Sequence, residues 1–251
     1  MRYYYAEHES AYRRIDQEGL TQWNDLFDLD QAPSFEDFPN RSFLERTLAD
    51  LPLAPWSETE VLEYGCGTGP AACFLAERGF NVDAIDLIPQ AIYLARRNAR
   101  ERGVKVHFDV QDMCDVASSR VPKRYDLIVD SYCLQSIVTD DDRARVFAAV
   151  RARLESTGYY LISTAMYDPQ RIYDRSFRYD ESTGICYQAL PGGPLSDSAV
   201  EFDGEWYVPH RRHLRPAELR HELAASGFRV LSQQGEFGGD LVCALVSPSG
   251  V

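Results

Sequence analysis

The run Val61-Leu62-Glu63-Tyr64-Gly65-Cys66-Gly67-Thr68-Gly69-Pro70 most constrains what this chain can fold into. Val61–Tyr64 reads as a buried strand that breaks into three alternating glycines before Pro70 opens a helix. Glycine has no Cβ, so it takes positive φ and lets the backbone lie flat against a ligand. The helix that follows offers unpaired amide N–H groups at its start. Strand, glycine turn and helix in this order build a cradle for a nucleoside-bearing cofactor at the carboxyl end of a parallel strand.

Beyond this run, strands and helices alternate, as a doubly wound α/β sheet requires. The pattern predicts a helix from Pro70 to Arg78, a strand over Val82–Asp86 and a helix from Pro89 to Arg102. A third strand is expected over Val104–Val110, where Val104, Val106, Phe108 and Val110 alternate with polar residues. Strands over Asp126–Asp130 and Tyr159–Thr164 flank a helix from Asp141 to Leu154. The rhythm then breaks over 167–213, where Pro169, Pro191, Pro194 and Pro209 and short β-like pieces at 185–189 and 205–208 predict a β-rich insertion. It resumes with a helix over 216–225 and two strands, 228–233 and 241–246, joined at Gly238-Gly239 as an antiparallel hairpin. Residues 1–56 are rich in aromatics and predict helices near 8–18 and 40–51, the second started by Pro39-Asn40.

A dinucleotide site prefers Gly or Ala at the sixth position of G-x-G-x-x-G, which here is Pro70. Glu63 to Gly69 instead resembles motif I of the class I S-adenosylmethionine (SAM)-dependent methyltransferases, E/D-x-G-x-G-x-G. The resemblance covers about residues 58–166 and 214–247. It implies a Rossmann-like seven-stranded sheet with a C-terminal antiparallel hairpin, a helical N-terminal lid (1–56) and a SAM-binding domain (57–251) carrying the insertion. It also implies roles for individual residues. Gly65, Cys66, Gly67 and Gly69 would form the loop under the methionine and ribose parts of SAM, oriented by Glu63. Asp86, 21 residues after Gly65, would accept the ribose hydroxyls, since a carboxylate offers two acceptor oxygens to a vicinal diol. Leu87, Ile88, Asp112 and Met113 would meet the adenine, with Asp112 alternatively a helix cap. Asp130 closes the fourth strand, bringing Ser131, Tyr132, Cys133 and Gln135 beside the transferable methyl group.

The expected reaction is methyl transfer to an O or N atom of a small metabolite, with natural-product tailoring as the setting. Tyr132, Gln135, His210 and His213 are the expected catalytic residues, with Glu7 and His8 as further base candidates. Tyr5, Tyr12, Trp23, Tyr167 and Tyr173, together with Tyr3, Tyr4 and Tyr179, would wall the acceptor site, which suits an aromatic or cationic acceptor. An alternative is an enzyme of the same fold that cleaves or cyclises the aminobutyrate arm of SAM and releases methylthioadenosine. A net charge of −13 argues against general affinity for nucleic acid, and Asp130-Ser131-Tyr132-Cys133 stands where base or amide methylases carry N/D-P-P-Y. The six cysteines form no C-x-x-C pair, so reduced structural thiols and no metal are expected. No apolar run approaches the ~20 residues of a membrane span, and Met1–Glu7 has no apolar core of a signal peptide. The expected location is therefore the cytoplasm; the oligomeric state stays open.

Overall fold

Strand β1 (Glu60–Tyr64) is buried from Val61 onward and runs through the middle of a seven-stranded sheet. A computed structural model describes residues 2–27, 34–115, 123–193 and 198–246; Pro194 of the expected insertion lies outside them. β2 (Asn81–Asp86), β3 (His107–Val110), β4 (Tyr125–Ser131) and β5 (Leu154–Ser163) run parallel to β1. β10 (Phe228–Gln234) and β11 (Asp240–Leu245) form the expected antiparallel hairpin, and β11 pairs antiparallel with β5. The strand order is β10-β11-β5-β4-β1-β2-β3.

Side chains alternate between the two faces of a strand, and the core divides accordingly. Val61, Leu127 and Val129 pack with Phe43, Phe74 and Ile92 from α2 (Arg41–Asp50), α3 (Pro70–Glu77) and α4 (Pro89–Arg102). Leu62, Tyr64 and Ile128 pack with Phe147, Leu219 and Leu223 from α5 (Asp140–Arg153) and α6 (Pro216–Ala225). Pro70, Pro89 and Pro216 all open their helices, where the missing N–H costs nothing. α1 (Tyr5–Glu18) lies on α4, where Ile15 joins Ile88, Ala91 and Leu94 in a third cluster. Asp16 ties the two helices together, accepting from Arg97 at 2.7 Å and Gln90 at 3.0 Å.

Three departures from the sequence reading have local causes. β3 begins at His107 rather than Val104, because the Val104 amide closes α4 by donating to Ala99 O while Gly103 takes the left-handed cap. β5 starts five residues early, at Leu154, which pairs with Tyr125 across a register shift. The insertion is a complete four-stranded antiparallel sheet, ordered β6 (Phe177–Asp180), β7 (Ile185–Ala189), β9 (Glu205–Arg212), β8 (Val200–Phe202). β9 continues through Pro209 because the ladder shifts register there, opposite Cys186 and Tyr187, so the missing proline N–H breaks no bond. No described helix is long and apolar enough to cross a membrane.

Candidate functional site

Strand order reverses between β4 and β1, and a crevice opens beyond their carboxyl ends, as such topologies require. A cavity of about 510 Å³ occupies it. The glycine loop forms its floor. Gly65 and Gly67 take φ of +63° and +56°, which a side chain would strain. A Cβ on Gly65 would collide with Cys133, and one on Gly67 would stand 2.8 Å from the Tyr12 hydroxyl. The loop is therefore threaded between the β4 exit and the N-terminal helix, and only glycine fits. Gly69, the left-handed residue before α3, contributes to the turn without lining the cavity.

Asp86 fixes the loop from the neighbouring strand. Its Oδ2 accepts from the Gly67 amide at 2.9 Å and its Oδ1 from the Ile88 amide at 2.8 Å. Each carboxylate oxygen keeps a further lone pair, and the side chain borders the cavity beside Leu87 and Ile88. Burial raises the Asp86 carboxyl to about 6 against these two amide bonds. Glu63 is wholly buried, and burial pushes its carboxyl to about 8 although Ser131 and the Ala72 amide donate to it. Its Oε2 has no partner, and neither have two other buried atoms on the cavity wall, Asn40 Oδ1 and Thr68 Oγ1.

Asp112 and Met113 reach the far end of the cavity. Asp112 Oδ1 accepts from the Cys114 amide at 2.9 Å, the bond of a turn cap, while its Oδ2 takes Arg2 Nε at 2.6 Å. The same guanidinium reaches Asp142 at 2.5 Å and Asp115 at 2.9 Å, so the start of the chain is fastened over this end. Tyr3 adds to the fastening by donating to Ser136 O at 3.3 Å and accepting from the Val138 amide.

At the β4 exit Tyr132 holds φ of +64°, a conformation that costs a bulky residue roughly 1–2 kcal/mol. Asp130 and Ser163 hold it there. The Tyr132 amide donates to Ser163 O at 2.7 Å, and the Asp130 carboxylate accepts from the Cys133 and Leu134 amides at 2.8 and 3.0 Å. Asp130 is itself buried beneath the wall and raised by burial to about 6, so it acts on the site through this backbone. Tyr132, Cys133 and Gln135 line the cavity, and Gln135 Oε1 is anchored by the Ala165 amide at 2.7 Å. Burial raises the Tyr132 phenol to about 12 and the Cys133 thiol well above its usual range, so both stay protonated at neutral pH.

The N-terminal wall comes from one face of α1. Tyr4, His8 and Tyr12 are spaced four apart, and all three line the cavity with Trp23. His8 Nδ1 donates to Tyr4 O at 2.7 Å, which leaves Nε2 as the bare acceptor nitrogen; the ring lies 4.9 Å from Trp23. Burial, with the Arg211 charge adding to it, lowers the imidazole to about 4, so it is neutral at pH 7. Arg211 also faces the cavity, but Glu7 clamps it at 2.8 and 3.1 Å.

Like Gly69 and Asp130, several other expected site residues lie away from the cavity wall. His213 is buried against Arg171, 2.9 Å from its Nδ1, and burial lowers it to about 3. His210 is 3.4 Å from Glu7. Tyr167 and Tyr173 both stack on Tyr179, at 5.3 and 5.4 Å, beside the insertion sheet. Tyr5, one step off the cavity face of α1, packs against the cluster around Ile15. Sequence reasoning assigned Asn40 only as a helix start and gave Asn24, Gln22 and Glu236 no role, yet all four border the cavity. No spacing marks them, because turns and short 3₁₀ segments bring them in. Tyr4 and His8 did carry a signal, their fourfold spacing with Tyr12.

Comparison with known proteins agrees with this arrangement. Residues 61–158 match the family model of a methyltransferase domain. The ubiquinone biosynthesis O-methyltransferase of Xylella fastidiosa is 33% identical over 110 residues, 44% of this chain and 43% of that one. The 2-heptyl-1-hydroxyquinolin-4(1H)-one methyltransferase of Mycobacteroides abscessus is 34% identical over 104 residues, 41% of this chain and 45% of that one. The chain thus spans less than half the length of these curated relatives. Among solved structures, CcbJ methyltransferase from Streptomyces caelestis superposes with a TM-score of 0.64 at 18% identity, covering 95% of this chain and 99% of that one. The DhpI–SAH complex gives 0.62 at 20% identity, covering 99% and 100%. These likenesses support the fold over almost the whole chain. Residues 61–158 thus match a methyltransferase domain, and nearly the whole chain shares the fold of solved methyltransferases.

Proposed function

We propose that this protein is a SAM-dependent methyltransferase that methylates an O or N atom of a small metabolite, in the setting of natural-product biosynthesis. One observation carries the reading. A single cavity gathers the two-glycine cradle, the Asp86 carboxylate and three unpaired buried acceptors beneath an aromatic wall. These residues fit SAM. The glycines admit its backbone-hugging part, Asp86 has lone pairs for a diol, and Glu63 brings an unpaired oxygen to the same cavity.

When bound, SAM supplies an electrophilic methyl group on a positively charged sulfur. The chain's own residues bind, align and exclude water. Leu87, Ile88 and Met113 flank the adenine, with the remaining capacity of Asp112 for its amino group. Gly65, Cys66 and Gly67 support the methionine end, and Gly69 shapes the turn. Tyr132 and Gln135 border the space for the acceptor, and Tyr12 and Trp23 wall it. Of the imidazoles weighed as bases, His8 faces this space, with a bare Nε2 that accepts a hydrogen bond or a proton from the acceptor. Residues 1–56 act as the lid on the domain at 57–251. Holding two reactants in attack geometry supplies about 7–11 kcal/mol at best, and dry surroundings strengthen the remaining electrostatics.

Both O- and N-methylation have precedent among similar proteins. The Xylella relative is an O-methyltransferase, and MtfA, 23% identical with a TM-score of 0.56, is a glycopeptide N-methyltransferase. The test is mass spectrometry of the protein incubated with SAM, with and without a pool of small phenols, amines and acids. S-adenosylhomocysteine formed only with the pool, and an acceptor heavier by one CH₂, is the expected result. Methylthioadenosine formed without the pool would replace methyl transfer by cleavage of the aminobutyrate arm.

A further inference from the structure

Two side chains on the cavity wall have their polarity fixed by backbone groups that can play only one part. Gln135 Oε1 accepts from the Ala165 amide at 2.7 Å, so the end left over is Nε2, which carries two donor hydrogens. The Tyr4 carbonyl can only accept, so His8 Nδ1 holds the ring proton at 2.7 Å and Nε2 is left as a lone pair. Neither leftover nitrogen has a hydrogen-bond partner among the described residues. Both residues line the cavity, Gln135 from the turn after β4 and His8 from α1. These two segments adjoin, since Tyr3 donates to Ser136 O next to Gln135. The wall thus offers one donor and one acceptor. A hydroxyl satisfies both: its proton goes to His8, and a lone pair on its own or a neighbouring oxygen accepts from Gln135. An alkylammonium carries donors alone and would set them against Gln135 Nε2. Away from Glu63, Asp86 and the glycine loop, the charges on the wall do not reverse this polarity. Glu7 clamps Arg211, Arg2 holds Asp112, and Glu236 stands exposed to solvent, which screens its pull on a cation.

Building on the methyl-transfer reading, we infer that His8 and Gln135 together select a neutral hydroxyl acceptor, a phenol or an alcohol, over an aliphatic amine. As the hydroxyl oxygen takes the methyl group, the electron pair of the broken methyl–sulfur bond stays on sulfur and the O–H proton passes to His8 Nε2. A weak base suffices for this, because an oxygen that carries both the methyl group and the proton is a far stronger acid than an imidazolium. Burial, with Arg211 adding to it, lowers His8 to about 4, which keeps Nε2 free of a proton at pH 7. The same low basicity leaves the imidazole unable to strip an alkylammonium of its proton and so free its lone pair for attack.

The test sets two matched panels against each other. The full-length protein is incubated with SAM and either phenols and benzyl alcohols or the corresponding benzylamines, and products are read by mass spectrometry. The hydroxyl panel should gain one CH₂, placed on oxygen by fragmentation, roughly tenfold faster than the amines or more. Gln135→Glu keeps one oxygen for the Ala165 amide and turns the other end from donor into acceptor. It should lower kcat/KM for the best hydroxyl acceptor roughly ten- to a hundredfold and shift the preference toward amines. Its affinity for S-adenosylhomocysteine by calorimetry should stay as in wild type, which also shows that the variant is folded. Methylation of the amines alone, methylation of neither panel, or an unchanged preference in Gln135→Glu would each overturn the inference. Methylthioadenosine formed with no acceptor present would instead remove the methyl-transfer reading on which it rests.

Discussion

Glu63→Gln should make the ligand-free protein more stable at alkaline pH while it weakens the cofactor site. A carboxyl raised from 4.5 to about 8 by burial keeps its proton in the folded state long after the unfolded chain has lost it. Between these two values the folded protein holds more protons than the unfolded one. Stability therefore falls as pH rises through that window. At about 1.36 kcal/mol per pH unit, the part of the window between pH 5 and pH 8 amounts to roughly 3–4 kcal/mol before relaxation. Water entering the cavity will reduce it, so a loss of about 2–3 kcal/mol is expected. Glutamine keeps the shape and the acceptor for the Ala72 amide and the Ser131 hydroxyl without ionising.

The assay is a pair of thermal melts, wild type and Glu63→Gln, at pH 5, 6, 7 and 8. For a chain of 251 residues, 1 kcal/mol moves the midpoint by about 2–4 °C. The two curves should nearly meet at pH 5 and separate by about 4–12 °C at pH 8, with the glutamine variant higher. Asp86 and Asp130, both raised to about 6, contribute with the same sign in both proteins and largely cancel in the comparison. Midpoints that run parallel across the whole pH range would refute the reasoning, because Glu63 would then ionise alike in both states.

Three other substitutions test the remaining parts of the site. Asp86→Ala should cost S-adenosylhomocysteine binding about 1–3 kcal/mol by calorimetry, through lost charge-assisted bonds and a loosened Gly67 amide. Gly67→Ala forces a Cβ to 2.8 Å from the Tyr12 hydroxyl at a positive φ, so it should abolish binding while secondary structure by circular dichroism stays native. Arg2→Ala releases three carboxylates at once and should speed S-adenosylhomocysteine dissociation severalfold in stopped-flow measurements of intrinsic tryptophan fluorescence. An unchanged dissociation rate would mean that the chain start does not cover the bound cofactor.

The parts of this fold that were legible are those set by local chemistry. Pro89 and Gly103 bracket α4 at the residues expected, because one presets φ at a helix start and the other takes the left-handed cap. The insertion was legible only in outline. Its strands β6 and β8 are four and three residues long and half-exposed, too short to leave a period in the sequence. On the cavity wall, the positions of Gly65, Gly67, Asp86 and Asp112 were readable, because a turn after a strand demands glycine where φ is positive and a carboxylate where backbone amides need an acceptor. Asp130 was readable as a position but not in its contacts: its oxygens are committed to the Cys133 and Leu134 amides, which the strand pattern cannot reveal.

The acceptor side follows a different rule, and this explains which aromatics moved. Tyr5 and Tyr4 are neighbours on one helix, yet a helix turns about 100° per residue, so only one of them shares a face with His8 and Tyr12. Reading the aromatic cluster by composition gave both equal standing; reading it by phase selects Tyr4, His8 and Tyr12 and discards Tyr5. Composition also favoured Tyr167 and Tyr173, but these rings satisfy each other through Tyr179 and Arg215, which lies 4.4 Å over Tyr167. At the cavity, Trp23 meets His8 and Tyr12 from one side, and the other side opens onto the glycine loop. On the proposed reading, specificity for the acceptor resides in the cavity face of α1. Exchanging Tyr4, His8 or Trp23 should change which acceptor is methylated before it changes the affinity for S-adenosylhomocysteine.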